Sequence, residues 1–280
     1  MEFMIYSKAL FSTWIYYSPE RVLFDVGEGL STNMGNKVFA IENVFITHGH
    51  ADHIAGLWGL INSRNNAMGD KAKPLNVYYP EKSEVIREYL SFILKVNGDL
   101  KYELNFHPLK LGEKVKIRDD GSLKRYVLPF PVRHIPSEPS YGYHIVETRR
   151  KLKSEFKGLS QNEIIDLVRK HGREYITVEI EKKILTISGD GMAIDEDEAR
   201  GTDLLLHECT FLDVRDRKGE IHAALNEVVE LIKKANVKNV ILYHISSRYD
   251  RNAHRIVEKV KEELKDVKID YVHPGRIWIK

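Results

Sequence analysis

Short apolar runs separated by polar turns recur along both halves of this 280-residue chain. Runs of this length, rich in Val, Ile, Phe and Tyr, predict strands. In the first 120 residues they fall around Ile5, over 13–17 and 22–25, around Val38, and over 44–46 and 77–79. Two stretches change period. Ile54-Ala55-Gly56-Leu57-Trp58-Gly59-Leu60 opens one helix. The other, over 83–95, follows Pro80 with Ser83 as its cap and repeats apolar residues at Val85, Ile86, Tyr89, Leu90 and Ile93, a stripe that predicts core packing. The second half repeats the theme, with strands expected around 126, 143, 176, 185, 204, 241 and 270 and helices near 163–171, 223–235 and 251–265. Two strand-rich halves, each with amphipathic helices, suit an α/β fold of two packed sheets with helices outside them. No repeat and no Pro/Gly/Ser-rich linker divides the chain, so residues 1–280 are expected to form one domain.

Candidate chemistry clusters at the ends of these strands. Val44-Phe45-Ile46 runs into Thr47-His48-Gly49-His50-Ala51-Asp52-His53. In extended chain, residues two apart project to one side, so His48 and His50 can grip one ion. Asp52 and His53 lie where the chain turns into the helix and can aim at a second. Imidazole and carboxylate in this density suit Zn²⁺ best, with Mn²⁺ or Fe²⁺ as competitors. His134 follows the strand over 124–132, Gly189-Asp190 follows 183–188, and His244 follows 239–243. Gly189 permits the sharp bend that turns Asp190 inward. Ligands past the same ends of neighbouring strands can converge on one sheet edge.

The set His48-x-His50-x-Asp52-His53, His134, Asp190 and His244 resembles the metallo-β-lactamase superfamily. Leu23-Phe24-Asp25-Val26-Gly27-Glu28-Gly29 looks like the early acidic turn of that fold. His207-Glu208-Cys209-Thr210-Phe211 is similar to the His-Glu-Ala-Thr block of the tRNase Z family, with Cys209 in place of alanine. His244-Ile245-Ser246-Ser247-Arg248-Tyr249 and Ser140-Tyr141-Gly142-Tyr143 match the same family. The resemblance runs from about Ile5 to Tyr249 and points to the short, single-domain form. Two features depart from it. The His-Ser-Thr block reads His222-Ala223-Ala224, and no Gly-Pro pair marks the segment that holds the tRNA elbow. A basic arm stands there instead, over 148–183.

The resemblance implies a four-layer αβ/βα sandwich with an inserted arm, and a zinc-dependent endoribonuclease. Its reaction would hydrolyse the phosphodiester at the 3′ end of precursor tRNA, leaving a tRNA 3′-hydroxyl and a 5′-phosphorylated trailer. It also implies a homodimer in which one subunit's arm presents tRNA to the other's site. Two Zn²⁺ per chain, or Mn²⁺, would be held by His48, His50 and His134 on one side and by Asp52, His53 and His244 on the other, with Asp190 bridging. Asp52 would also orient the attacking hydroxide. Glu208 and His222 are the candidate proton-donating pair, since a carboxylate keeps a neighbouring imidazole protonated. Asp25 reads equally as a partner that fixes a ligand tautomer or as a turn residue. Arg248 is a candidate phosphate clamp. Cys209, His107, His144, His171, His254 and His273 read as structural or surface residues.

Charge refines the picture of the arm. The formal net charge is only +2, yet residues 149–183 hold ten Lys/Arg against six Asp/Glu. The excess sits in 149–157, where Arg149, Arg150, Lys151, Lys153 and Lys157 face one acidic residue, Glu155. Beside an anionic substrate's path such a patch raises affinity in a salt-dependent way. The competing function is a small-molecule metallo-hydrolase (phosphodiesterase, thioesterase or lactonase), which would have no use for a basic arm. One cysteine excludes an internal disulfide framework and suits a reducing compartment. No apolar run approaches the ~18 residues of a membrane span, and the first residues lack a signal-peptide pattern. Cytoplasmic location is the expectation.

Overall fold

The computed structural model describes residues 2–121 and 123–280. One sheet is built from β1 (Phe3–Lys8), β2 (Ser12–Tyr17), β3 (Val22–Phe24), β4 (Asn43–Phe45), β5 (Leu75–Pro80), β6 (Leu104–Leu109) and β14 (Trp278–Ile279), in the order β14-β1-β2-β3-β4-β5-β6. The second comprises β7 (Val115–Asp119), β8 (Leu123–Val132), β9 (Ser140–Leu152), β10 (Thr177–Ile187), β11 (Leu205–Glu208), β12 (Asn239–Tyr243) and β13 (Lys268–Tyr271), in the order β13-β12-β11-β10-β9-β8-β7. Helices α1 (Leu30–Met34), α2 (Ala51–Ile54), α3 (Leu57–Met68) and α4 (Glu84–Val96) belong to the first half, and α5 (Gln161–His171) and α6 (Arg173–Ile176) lie between β9 and β10. α7 (Glu196–Ala199), α8 (Leu225–Ala235) and α9 (Ala253–Glu263) belong to the second half.

Three apolar clusters separate four layers. Alternate residues of one strand go to different clusters, because central strands are buried on both faces. Leu23 and Val44 join Leu57, Leu60, Ile86 and Leu90 beneath α3 and α4. Val22, Phe24 and Phe45 instead meet Ile187, Leu206, Ile241 and Tyr243 between the sheets. Leu205, Val240 and Leu242 turn the other way, towards Val228, Ile232 and Val257 of α8 and α9. This is the expected αβ/βα sandwich.

Strand direction places the chemistry. β3, β4, β5 and β6 are mutually parallel, and β1 shares their direction because β2 runs against both β1 and β3. In the second sheet β10 to β13 are parallel, while β9 runs against β8 and β10. The loops after β4, β8, β10 and β12 therefore all leave from one edge of their sheets. The β9–β10 connection leaves from the opposite edge. There the two strands continue as a ribbon to the pair Thr177↔Leu152, past the end of the β8 pairing at Arg149, and carry α5 and α6 at the tip. α5 has a Ser160/Glu163 capping box and no buried residue.

Two expected strands differ. Val38 lies in a 3-10 turn, Gly35–Ala40. The buried Arg64 guanidinium donates to the carbonyls of Val38 and Ile41, at 3.0 and 2.9 Å, so side-chain bonds replace a ladder. The strands expected around 176 and 185 are the two ends of one, β10, which begins at Thr177 as α6 closes.

Candidate metal centre

The seven expected ligands meet. Ligand atoms of His48, His50 and His134 lie within 4.8 Å of one another, as do those of Asp52, His53 and His244, and those of His48, His53 and Asp190. Asp190 Oδ2 is 3.1 Å from His53 Nε2 and 3.0 Å from His244 Nε2. His134 Nε2 stands 3.3 Å from His50 Nδ1, and His244 Nε2 3.4 Å from Asp52 Oδ2. Asp190 thus joins the two triads. Gly189 supplies its bend at φ +65°, where a Cβ would lie 2.5 Å from the Tyr141 carbonyl oxygen.

Hydrogen bonds behind the ligands settle their tautomers. Thr47 Oγ1 donates its only proton to Asp25 Oδ2 at 2.9 Å, so its 2.9 Å contact with His48 must be donated by Nδ1–H. Thr210 Oγ1 likewise donates to Glu208 Oε2 at 3.0 Å and accepts from His244 Nδ1–H at 2.9 Å. His134 Nδ1–H donates to the Ile221 carbonyl at 2.7 Å, and His53 Nδ1–H to Asp25 Oδ2 at 2.7 Å. In His48, His134 and His244 these bonds leave the Nε2 lone pair for an ion. Two atoms in the centre, His48 Nε2 and Asp190 Oδ1, are buried without any hydrogen-bond partner. Orphaned acceptors of this kind, among nitrogen and carboxylate donors, fit divalent metal. Asp25 takes the orienting role of its two readings. Both Asp25 and His244 hold left-handed backbone, φ 57° each, an uncommon conformation that clusters at functional sites.

The charge pattern agrees. Burial pushes the His48 imidazole well below its usual range, aided by the neighbouring His53. Burial acts the same way on His53, but Asp190 and Asp25 on either side carry it well above. A cation taking the place of that proton at Nε2 would release it, as metal binding at histidine does. Burial favours a protonated Asp190, yet His244 and His53 hold its carboxyl well below the usual range.

Glu208 and His222 form a second unit beside the ligands. Glu208 Oε1 accepts from His222 Nδ1 at 2.9 Å, Gly191 N at 3.2 Å and Ala223 N at 3.0 Å, and Oε2 accepts from Thr210 N at 2.8 Å. This fully buried carboxylate is pinned in place. Burial alone would lower the His222 imidazole, but the bond and charge of Glu208 bring it up to about 9. The His222 ring lies 4.9 Å from that of His134 and 5.3 Å from that of His244. His222 comes within ligand distance of His134 and Asp190 too, but its Nδ1 is committed to Glu208.

The remaining candidates divide. Arg248, half-exposed in the turn after His244, lies 5.6 Å over the Phe211 ring and 3.9 Å from Asp216. Arg149, Arg150, Lys151, Lys153 and Lys157 sit at the far edge. The thirteen residue-to-residue steps from Thr177 to Asp190 span roughly 40 Å at ~3.3 Å each. Arg149 pairs with Glu147, Arg150 with Glu174 at 3.1 Å, and Lys153 donates to the Tyr175 carbonyl at 2.7 Å. His144 is buried between Thr186 and Glu198, Cys209 is buried, and His107 stacks on Tyr78, all as structural residues. The sequence pattern assigns no role to Thr47 and Thr210. Thr210 stands in the His207–Phe211 block, whose final polar residue was the available signal.

Known proteins resemble this chain along most of its length. The family model described as anti-Pycsar protein Apyc1 matches residues 10–185. Ribonuclease Z of Listeria welshimeri is 34% identical over 89% of this chain and 86% of its own length. The short form of human tRNase Z superposes with a TM-score of 0.66 at 20% identity, covering 99% of this chain and 98% of that one. The metallo-β-lactamase-fold protein YhfI of Bacillus subtilis gives 0.64 at 15% identity, covering 99% of each.

Proposed function

The chain belongs to the ribonuclease Z family, and over residues 10–185 to the Apyc1 family as well, and from that premise of a metal-dependent, tRNA-processing nuclease we propose that it cuts precursor tRNA at its 3′ end with two zinc ions. The observation that carries the proposal is the joining of two ligand triads through Asp190, with a Glu208-bound His222 beside them. Two divalent ions held there would supply an activated water and offset charge on the phosphoryl oxygens.

The chain's own residues do the rest. Asp52, kept ionised by His244 and His53 against the effect of burial, orients the attacking water and accepts its proton. The new bond joins water oxygen to phosphorus, and the P–O3′ bond breaks. His222, its Nδ1 held by Glu208, delivers the proton from Nε2 to the leaving O3′. The tRNA thus ends in a 3′-hydroxyl and the trailer begins with a 5′-phosphate. Arg248 would meet the substrate backbone as a guanidinium.

The arm supports a large anionic substrate and a two-subunit arrangement. It leaves the sheet opposite its own metal centre, an arrangement that supports tRNA gripped by Arg149, Arg150, Lys151, Lys153 and Lys157 being cut at the centre of a second copy. No helix among the described residues is long and apolar enough to cross a membrane. With one buried cysteine, the reducing cytoplasm is the compartment we assign.

End-group mapping of the products from a 3′-extended precursor tRNA tests the reading. A tRNA 3′-hydroxyl and a trailer 5′-phosphate are expected. A 3′-phosphate or 2′,3′-cyclic phosphate on the tRNA would rule out protonation of O3′ and with it the mechanism.

A further inference from the structure

β1 and β3 run the same way, so the β1–β2 turn projects from the edge that carries the metal ligands. Its stem touches that centre. The His244 N–H donates to Ser7 Oγ at 2.9 Å, and Ser7 Oγ meets Thr13 Oγ1 at 3.0 Å. A Cβ on Gly27 would lie 2.5 Å from both Thr13 N and the Asp52 carbonyl oxygen, so β2 and the ligand loop pack across that glycine. Three residues of turn at ~3.3 Å put the tip within roughly 10 Å of Ser7, whose hydroxyl holds the His244 backbone.

Two large apolar side chains face water on this tip. Leu10 is 86% exposed and Phe11 56%. The turn closes with Phe11 N–H donating to the Lys8 carbonyl at 3.0 Å, and Leu10 has φ 71° at the position where glycine or asparagine ordinarily sits. A leucine strained in this way, with its side chain outside every core cluster, adds nothing to folding. Lys8 Nζ lies 4.5 Å from the Phe11 ring centroid, and no carboxylate pairs with it among the described residues.

We propose that this tip is a nucleobase platform at the mouth of the metal centre: Phe11 stacks on an unpaired base of the RNA substrate and Lys8 holds the adjoining phosphate. An aromatic face beside a cation grips single-stranded nucleic acid in this manner. A second copy of the chain fits the tip less well. Two side chains fall far short of the ~800 Å² per partner that a stable interface buries, and the unpaired Lys8 calls for an anion. The inference rests on the nuclease reading above but is tested separately from it.

The probe is a fluorescein-labelled, nuclease-resistant 2′-O-methyl RNA nonamer, titrated into the full-length, metal-loaded protein. Phe11→Ala should weaken binding about tenfold, the scale of a single base stack, and Phe11→Trp should restore it. Lys8→Ala should make the slope of log affinity against log salt shallower by about 0.7, the share of one phosphate on a single strand. Thermal midpoint and metal content check that the variants fold. The proposal is overturned if the wild-type protein does not bind the nonamer, if Phe11→Ala binds as the wild type does, or if that variant changes the oligomeric state. Phe11-dependent binding by a protein that leaves precursor tRNA uncut would uphold the platform and defeat the nuclease reading.

Discussion

His222 decides whether proton donation belongs to this site. Replacing it with alanine removes a group that donates to O3′ yet holds neither ion in the assignment above. His222→Ala should keep its metal and lose about 10²- to 10⁴-fold in cleavage of RNA. Hydrolysis of a diester with a nitrophenolate leaving group, which needs no proton, should change little. Equal losses on both substrates would make the residue structural. Thr210 acts one step further back, through the proton it accepts from His244 Nδ1. Thr210→Val keeps the volume and removes that hold, so metal affinity measured by competition with a chelator should fall about 10- to 100-fold. Unchanged affinity would mean that the His244 tautomer is set otherwise. At this scale the sequence was informative where chemistry is local. His48 to His53 declare themselves within six residues, and His134, Asp190 and His244 each follow a readable strand. Thr47 and Thr210 do not, because their meaning lies in which atom takes which proton across the fold. For Asp25, too, the sequence left a choice that only its contact with His53 resolves.

Strands were most readable where both faces are covered. Central strands such as β4 and β12, covered on both faces, are plain apolar runs, and α4, α8 and α9 show clear stripes. The strands that left no signal are β6, β7 and β14, and all three are sheet edges. Edge strands are half-covered and tolerate residues such as Pro108, so their patterns are weak. Val38 misled for the converse reason, being an apolar residue buried in a turn whose carbonyls Arg64 satisfies. The arm was visible as charge but not as a ribbon, since its length depends on pairing between β9 and β10. That pairing allows a clean excision. Leu152 and Thr177 are direct partners, so replacing 153–176 with Asn-Gly should close a hairpin without disturbing the sheet. Metal content and small-diester hydrolysis should survive. Affinity for precursor tRNA should fall, and its salt slope should become shallower by roughly 0.7–0.9 for each phosphate the arm no longer neutralises. The same affinity and slope would show that the arm beyond the ribbon takes no part in binding.

For the molecule as a whole, the two sheets bring every ligand to one edge and send the basic arm out from the other. A centre with hard and borderline ligands can hydrolyse many esters, so the fold alone does not choose a substrate. In the proposed reading the arm does, because binding energy gained far from the reacting phosphate is useful only on a substrate long enough to reach both. The most direct measurement is therefore kcat/KM for a 3′-extended precursor tRNA against that for bis(4-nitrophenyl) phosphate, on one preparation of metal-loaded protein. The account predicts a preference for the tRNA of at least about 10³, equivalent to roughly 4 kcal/mol of remote binding realised in the transition state. A preference for the small diester, or no preference, would contradict it.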